Sequence, residues 1–176
     1  MFGLKKSESS QATALAMVGA KPGQSVVVLG ADGPLAAAIG LVTGLNGRTV
    51  VVDGAEGAAA RVQAAADNAG ALLEFVSAAP AATTLDAAAF DVAVIRAGLA
   101  SHGADERTKI MIEAFRIARD GGRVVVIEGA KRAPLFGARE PRLDSDQIQT
   151  LLTAAGGRAV RELADAENIL YVESRK

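Results

Sequence analysis

The 176-residue sequence contains no cysteine and no tryptophan, and only one histidine and one tyrosine. Without cysteine, the chain cannot form a disulfide framework, a thiolate zinc site or a cysteine nucleophile. Only 3% of the residues are aromatic, so stacking platforms for nucleic-acid bases are nearly absent. The formal net charge of -1 provides no field that would hold a nucleic-acid backbone or an anionic membrane. We therefore expect neither a nucleic acid nor a membrane as a partner.

Long apolar runs are also missing. No stretch approaches the roughly 20 apolar residues that span a bilayer, and the charges of residues 1–6 follow the apolar residues, unlike those of a secretory signal. We expect a cytoplasmic protein without a metal site. The length suits one domain, and we assign residues 1–24 to an N-terminal arm or a short helix and residues 25–176 to the folded domain. Residues 12–18 are predicted to form one or two amphipathic helical turns.

Alanine, with 38 residues, and short β-branched runs are abundant. Seven segments are predicted as strands: 25–29, 49–52, 72–76, 91–95, 123–127, 158–163 and 169–173. Several are apolar at successive positions, which is typical of strands covered on both faces. Four segments between them are predicted as helices: 35–42, 57–69, 105–119 and 144–155, the last with a capping box of Asp144 and Gln147.

This alternation of strands and helices predicts an α/β fold with a single Rossmann-like, doubly wound, mostly parallel seven-stranded sheet. The last two strand segments are separated only by the polar stretch 164–168. They therefore predict an antiparallel terminal hairpin at the end of the sheet.

A glycine-containing loop follows the first strand and leads directly into a helix. Gly30, Ala31, Asp32 and Gly33 form this loop, which is expected to aim backbone N–H groups and a helix N-terminus above the sheet. Asp53 ends the second strand, where an acid can accept both hydroxyls of a ribose lying across the first loop. Together these features predict a nucleoside-containing cofactor. The alternative is structural, with Asp32 capping the helix and Asp53 capping the turn at Gly54.

These segments resemble the class I S-adenosylmethionine-dependent methyltransferases, in particular the type 11 or quinone-biosynthesis-like branch. The matching stretches are residues 25–40, 50–54, 90–95 (FDVAVI), 113–128 and the terminal hairpin, 158–173. The resemblance implies S-adenosylmethionine as the cofactor, with Asp53 on its ribose. It also implies that the remaining cofactor-binding residues are Gly30, Ala31, Asp32, Gly33, Gly54 and Ala79.

The sequence departs from the pattern of that family at three places. Val28 and Leu29 stand where the family has an acid at the end of the first strand. Asp32 occupies the middle glycine position of Gly-x-Gly-x-Gly, where it either replaces the lost carboxylate or crowds the site. After the third strand, residues 77–80 provide only backbone groups and one hydroxyl in place of an acid for the adenine.

Methyl transfer from a sulfonium requires in-line positioning and, for some acceptors, a base. His102 follows the fourth strand and is a candidate base, or else a solvated loop residue. Arg96 ends the same strand and is a candidate for binding a substrate anion or the cofactor carboxylate, or else a surface arginine. Basic residues between 131 and 142 either guide an anionic acceptor or keep a loop solvated.

Three functions follow from these features. The first is an S-adenosylmethionine-dependent methyltransferase acting on a small molecule, its pocket open or completed by a second chain in a homodimer. The second is a methyltransferase-like binding or assembly module without catalysis. The third is an NAD(P)-dependent reductase, because the spacing Gly30-x-x-Gly33-x-x-Ala36 is used in that class, although the single tyrosine, Tyr171, lacks a lysine four residues later.

Overall fold

The computed structural model describes residues 2–129 and 142–176 of the chain. The strands are β1 (Ser25–Leu29), β2 (Arg48–Val52), β3 (Glu74–Val76), β4 (Phe90–Ile95), β5 (Ala118–Gly129), β6 (Arg158–Ala166) and β7 (Ile169–Arg175). The α-helices are α1 (Phe2–Val18), α2 (Gly33–Thr43), α3 (Ala58–Ala69), α4 (Ala104–Ile117) and α5 (Ser145–Ala154), and a 3-10 turn covers Leu99–Ser101. Basic positions 131, 132 and 139 of the predicted basic loop lie outside the described residues, and Arg142 pairs with Asp165.

The seven strands form one sheet in the order β3-β2-β1-β4-β5-β7-β6. The pairings among β1 to β5 are parallel, whereas β7 is antiparallel to both β5 and β6. Glu167 and Asn168, with φ of 55° and 64°, form the two-residue turn of the terminal hairpin, as type I′ turns require. The predicted α/β fold with an antiparallel terminal hairpin is confirmed.

Both faces of the sheet are covered, as the continuous apolar runs predict. Val27 and Leu29 of β1 face an apolar cluster that includes residues of α4 and α5. Val26 and Val28 face the opposite cluster, which includes residues of α1, α2 and α3. Successive side chains of a strand point to opposite faces of the sheet. Because helices cover both faces, all four of these side chains are fully buried.

Several element boundaries differ from the predictions. The N-terminal helix has 17 residues and is therefore longer than one or two turns. The third strand begins at Glu74, since only Glu74 to Val76 pair with β2, and Leu72 is 71% exposed. Helix α4 ends at Ile117 because Ala118 adopts an extended conformation and pairs with Phe90, so that β5 starts five residues earlier than predicted. The domain boundary at residue 25 stays a prediction.

Helix α1 is tied to the sheet through one arginine. The Arg123 guanidinium donates to the carbonyl oxygens of Val18 at 2.8 Å and Met17 at 3.3 Å. It also pairs with Glu173 at 2.5 Å, and the side chains of Arg123 and Glu173 are only 20% and 8% exposed. Since cationic donors suit the carbonyl groups at a helix C-terminus, this contact fixes the position of α1 against the sheet.

The segment between β3 and β4 has no regular helix, and Glu113 of α4 holds it in place. Its carboxylate accepts hydrogen bonds from the Thr83 backbone N–H at 2.9 Å and the Thr83 hydroxyl. Arg116 donates to the same carboxylate at 2.7 and 2.8 Å. The hydrogen bonds from Arg116 lower the pKa of Glu113 below its ordinary 4.5, burial opposes that shift, and the bonds from Thr83 add to it.

Replacing Glu113 by glutamine is expected to lower the free energy of unfolding at pH 7 by about 1–3 kcal/mol, because Thr83 and Arg116 lose a charged partner. Since the pKa of Glu113 is lowered in the folded state, its stabilisation is present above pH 4.5 and is lost as the pH falls through the folded pKa. Urea unfolding at pH 7 and at pH 3 should show the gap between wild type and variant closing with acid. Glu56→Gln, which changes an exposed carboxylate, is the control. A gap that is constant with pH would contradict the assignment.

Candidate active site

The candidate site lies at the carboxyl edge of the parallel strands. Leu29, Val52 and Ile95 end β1, β2 and β4, and Leu29 is in register with each of the other two. The residues that follow these strand ends therefore converge at one edge. In open α/β sheets this edge is where ligands bind.

Gly30 turns the chain sharply from β1 toward α2. Its N–H donates to the Val52 carbonyl at 2.8 Å, and its φ of +112° is a conformation that favours glycine. A Cβ atom at Gly30 would lie 2.7 Å from the carbonyl carbon and oxygen of Arg96. The absence of a side chain therefore permits the loop to pass directly over the end of β4.

The Asp53 carboxylate joins the first two loops of this edge. Its Oδ2 accepts from the Ala31 N–H at 2.7 Å, and its Oδ1 accepts from the Ala55 N–H, also at 2.7 Å. Asp53 is half-buried, whereas Gly54 is exposed. The predicted turn contact of Asp53 is present, and the same bonds fix both carboxylate oxygens at the edge.

Asp32 and Arg96, from different loops, form an ion pair at this edge. Asp32 Oδ1 caps α2 by accepting from the Leu35 N–H at 3.1 Å, as the capping alternative predicts. Asp32 Oδ2 lies 3.0 Å from Arg96 Nε, and the two side chains are 26% and 27% exposed. This pairing was not predictable from the sequence, because the residues are 64 positions apart.

The loop after β4 is held by a buried carboxylate that sequence reasoning missed. Glu128 is 1% exposed and accepts from the N–H groups of Leu99 and Ala100, both at 2.9 Å. Arg107 donates to the carbonyl oxygens of Leu99 and Ala100 at 2.8 and 3.1 Å. A single acid directly after the apolar run 124–127 was the available signal, since an acid at the carboxyl edge of a buried strand requires partners.

His102 lies at the end of this fixed loop and is half-buried. Its Nδ1 lies 3.1 Å from the Gly98 carbonyl oxygen. Because a carbonyl oxygen only accepts hydrogen bonds, Nδ1 carries the proton in this contact, and Nε2 of the neutral ring is left as the acceptor.

The loops after β2 and β3 approach each other beside Asp53. A Cβ atom at Gly54 would lie 3.4 Å from the Ala78 carbonyl carbon and 3.5 Å from the Ala79 N. Ala79 is exposed at this edge. Gly54 and Ala79 thus lie side by side, next to the loop that carries Asp53.

A cavity of about 230 Å³ opens between α1 and the carboxyl edge. Its lining includes Ser10, Gln11, Asp32, Arg96, Ile127 and Ile169. Gln11 donates to the Pro34 carbonyl at 2.9 Å, so α1 is hydrogen-bonded to the helix that follows the glycine loop. His102 is not part of the lining, and the structure therefore places the two candidate catalytic residues at different parts of the edge.

Within residues 2–129 and 142–176, no helix has the length and apolar content that a membrane span requires. In the same part of the chain, no group of three or more His, Asp or Glu side chains is placed to hold a metal ion.

A family model described as a methyltransferase domain matches residues 30–126, more than half of the chain. No curated protein matches the sequence. A solved SAM-dependent methyltransferase from Aquifex aeolicus is 17% identical with a TM-score of 0.76, and the match covers 93% of this chain and 88% of that one. The 1,6-didemethyltoxoflavin-N1-methyltransferase from Burkholderia thailandensis, solved with 1,6-didemethyltoxoflavin and S-adenosylhomocysteine, is 20% identical with a TM-score of 0.70, and the match covers 98% and 80%.

At identities of 17% and 20%, the solved structures establish the shared fold. The family model establishes which family the chain belongs to. The matched residues 30–126 run from the glycine loop through β5. This chain therefore belongs to the family of S-adenosylmethionine-dependent methyltransferase domains.

Proposed function

We propose that this domain transfers the methyl group of S-adenosylmethionine to a small-molecule acceptor, with the nucleoside of the cofactor lying across the ends of β1 and β2. The observation that carries the proposal is the unused hydrogen-bonding capacity of the Asp53 carboxylate. Each of its oxygens accepts one backbone hydrogen bond, from Ala31 and from Ala55. Because a carboxylate has about four lone-pair sites, each oxygen keeps one for a ribose hydroxyl.

The residues around Asp53 fit the rest of a nucleoside. Gly30 has no side chain above β4, so the loop lies close to the strand ends beside Asp53. Gly54 and the backbone of Ala79 form a surface next to Asp53, where the adenine would lie. A similar fold holds S-adenosylhomocysteine in the Burkholderia thailandensis enzyme.

When bound, the cofactor supplies an electrophilic methyl group on a sulfonium, and the acceptor attacks this carbon as the thioether leaves. An acceptor hydroxyl or amine must also lose a proton. In this chain His102 is the candidate base, since the Gly98 carbonyl holds the proton on Nδ1 and leaves Nε2 able to accept one.

A solved neighbour supports a small acceptor. The Burkholderia thailandensis enzyme binds 1,6-didemethyltoxoflavin, a small molecule. A homodimer that completes the pocket stays a prediction.

Replacing Asp53 by asparagine is expected to weaken binding of S-adenosylhomocysteine by about 1–3 kcal/mol, because the amide cannot accept from both ribose hydroxyls and both backbone N–H groups. Calorimetric titration measures the change, and Asp67→Asn, on the exposed face of α3, is the control. A 2′-deoxy analogue of the ligand should lose less affinity on the same substitution than the parent does.

Equal losses for the parent ligand and the deoxy analogue would show that Asp53 only shapes the loop. Binding of neither S-adenosylmethionine nor S-adenosylhomocysteine by the wild type would favour the non-catalytic module. The reductase alternative would require binding of NADH, which the same titration measures.

A further inference from the structure

We propose that Asp32 and Arg96 together bind the amino acid end of the cofactor, Asp32 contacting its α-ammonium and Arg96 its carboxylate. The inference rests on the proposed function and adds to it the residues that recognise the zwitterion. It follows from the charge, accessibility and position of this ion pair.

One ion pair carries the charges of the cavity, as far as the described residues line it. Among the described residues that line it, Asp32 and Arg96 are the only charged ones. The two side chains lie 3.0 Å apart and are about a quarter exposed, so a ligand in the cavity can reach both.

Each partner keeps unused hydrogen-bonding capacity. Arg96 uses Nε for Asp32 and Nη1 for a 3.4 Å contact with the Ile127 carbonyl. No described residue accepts from its Nη2, and a guanidinium has five N–H donors. Asp32 accepts one bond at each oxygen, from Leu35 and from Arg96, which leaves one lone pair on each.

The pair lies at the correct place along the ligand. Ala31, whose N–H binds the ribose acid Asp53, directly precedes Asp32, and adjacent Cα atoms are about 3.8 Å apart. In S-adenosylmethionine a short thioalkyl chain separates the ribose from the amino acid. A ribose on Asp53 therefore brings the ammonium and the carboxylate to the cavity that Asp32 and Arg96 line.

The side chains at the end of β1 offer no alternative partner for the ammonium. Val28 is fully buried among the side chains of α1, α2 and α3, and Leu29 is fully buried on the opposite face. The first charged side chain after this strand is Asp32, which stands at a position where the family has glycine.

The pairing also predicts which ligands are preferred. Asp32 and Arg96 now compensate each other, so a ligand with one charge would draw one partner away and leave the other uncompensated. A zwitterion offers the opposite charge to each partner. The site should therefore favour ligands that carry both charges over ligands that carry one or none.

The test compares three thioether nucleosides by calorimetric titration. S-adenosylhomocysteine carries both charges, its decarboxylated analogue carries only the ammonium, and 5′-methylthioadenosine lacks the amino acid. We expect the wild type to bind S-adenosylhomocysteine at least about tenfold more tightly than either of the others. Equal affinity for all three would overturn the inference while leaving the nucleoside site and the proposed function intact.

Two variants assign the charges. Arg96→Met should weaken binding of S-adenosylhomocysteine by about tenfold or more and leave binding of 5′-methylthioadenosine unchanged. Asp32→Asn, which keeps a good helix cap, should weaken the decarboxylated analogue as well as S-adenosylhomocysteine. The control is Arg158→Met. Arg158 lies opposite Arg175 in the register of β6 and β7, at the other end of the sheet.

A uniform loss for all three ligands in either variant would show that the residue only shapes the loop, and a gain would show that it crowds the site. Either result would overturn the inference. If a variant does not fold, the wild-type ligand series decides. If the wild type binds none of the three nucleosides, the proposed function fails, and this inference fails with it.

Discussion

Replacing Gly30 by alanine is expected to lower the free energy of unfolding by about 2–6 kcal/mol and to abolish cofactor binding. The added Cβ would lie 2.7 Å from two backbone atoms of Arg96 and 2.9 Å from the Ala97 N. Backbone atoms at the end of a central strand cannot move aside cheaply, so overpacking contributes about 1–3 kcal/mol. The φ of +112° adds strain of a similar size, about 1–3 kcal/mol.

Gly23→Ala is the matched control for this prediction. Gly23 also has a positive φ, of +79°, but no atom lies within 4 Å of its would-be Cβ. Its substitution should therefore cost only about 1 kcal/mol, from the backbone conformation alone. Chemical unfolding measures both changes. If Gly30→Ala is no more destabilising than Gly23→Ala, the close approach of the loop to β4 is wrong.

Replacing Arg123 by methionine is expected to lower the free energy of unfolding by about 3 kcal/mol, the cost of removing one partner from a mostly buried ion pair. Among the described residues, the substitution leaves the buried Glu173 carboxylate with Arg161 as its one cationic partner, and the Arg161 side chain is 70% exposed. It also removes the donor to the carbonyl oxygens of Met17 and Val18. Hydrogen exchange of the α1 amides should accelerate more than that of the sheet.

Arg48→Met is the control for this prediction, because it removes an ion pair that is exposed and does not contact α1. Arg48 pairs with Glu74 at 2.7 Å, but the two side chains are 43% and 54% exposed, and such surface pairs contribute about 0–1 kcal/mol. Burial raises the pKa of Glu173, yet hydrogen bonds from Arg123 and Arg161 bring it below 4.5, so Arg123→Met should also raise that pKa. Equal stability of the two variants would show that Arg123 does not anchor α1.

The anchoring of α1 links stability to the proposed function. Ser10 and Gln11 line the cavity from one helix, and Arg123 holds the C-terminal end of the same helix. A helix free at that end would leave the Asp32–Arg96 pair more open to water, which weakens electrostatic recognition. We therefore expect Arg123→Met to reduce affinity for S-adenosylhomocysteine as well, although it is distant from the ligand.

Much of the fold was predictable because its signals are local. Continuous apolar runs indicated strands covered on both faces, and the capping box of Asp144 and Gln147 is present as predicted. The ends of α4 and β5 were not predictable. The helical pattern continues through Arg119, but pairing of Ala118 with Phe90 ends the helix, and only tertiary contacts decide between the two. The quinone-biosynthesis-like branch of the family stays a prediction.

The sequence by itself determined the α/β class, the position of the glycine loop after β1 and the position of Asp53 after β2, because these depend on neighbouring residues and on the periodicity of side chains. The tertiary structure alone decided the pairing of Asp32 with Arg96, the burial of Glu128 under the β4 loop and the contact of His102 Nδ1 with the Gly98 carbonyl oxygen. Each of these depends on contacts between residues that are distant in sequence or on the exact path of a loop. Only the assembly of the strands and their loops into one sheet brings such groups within hydrogen-bonding distance.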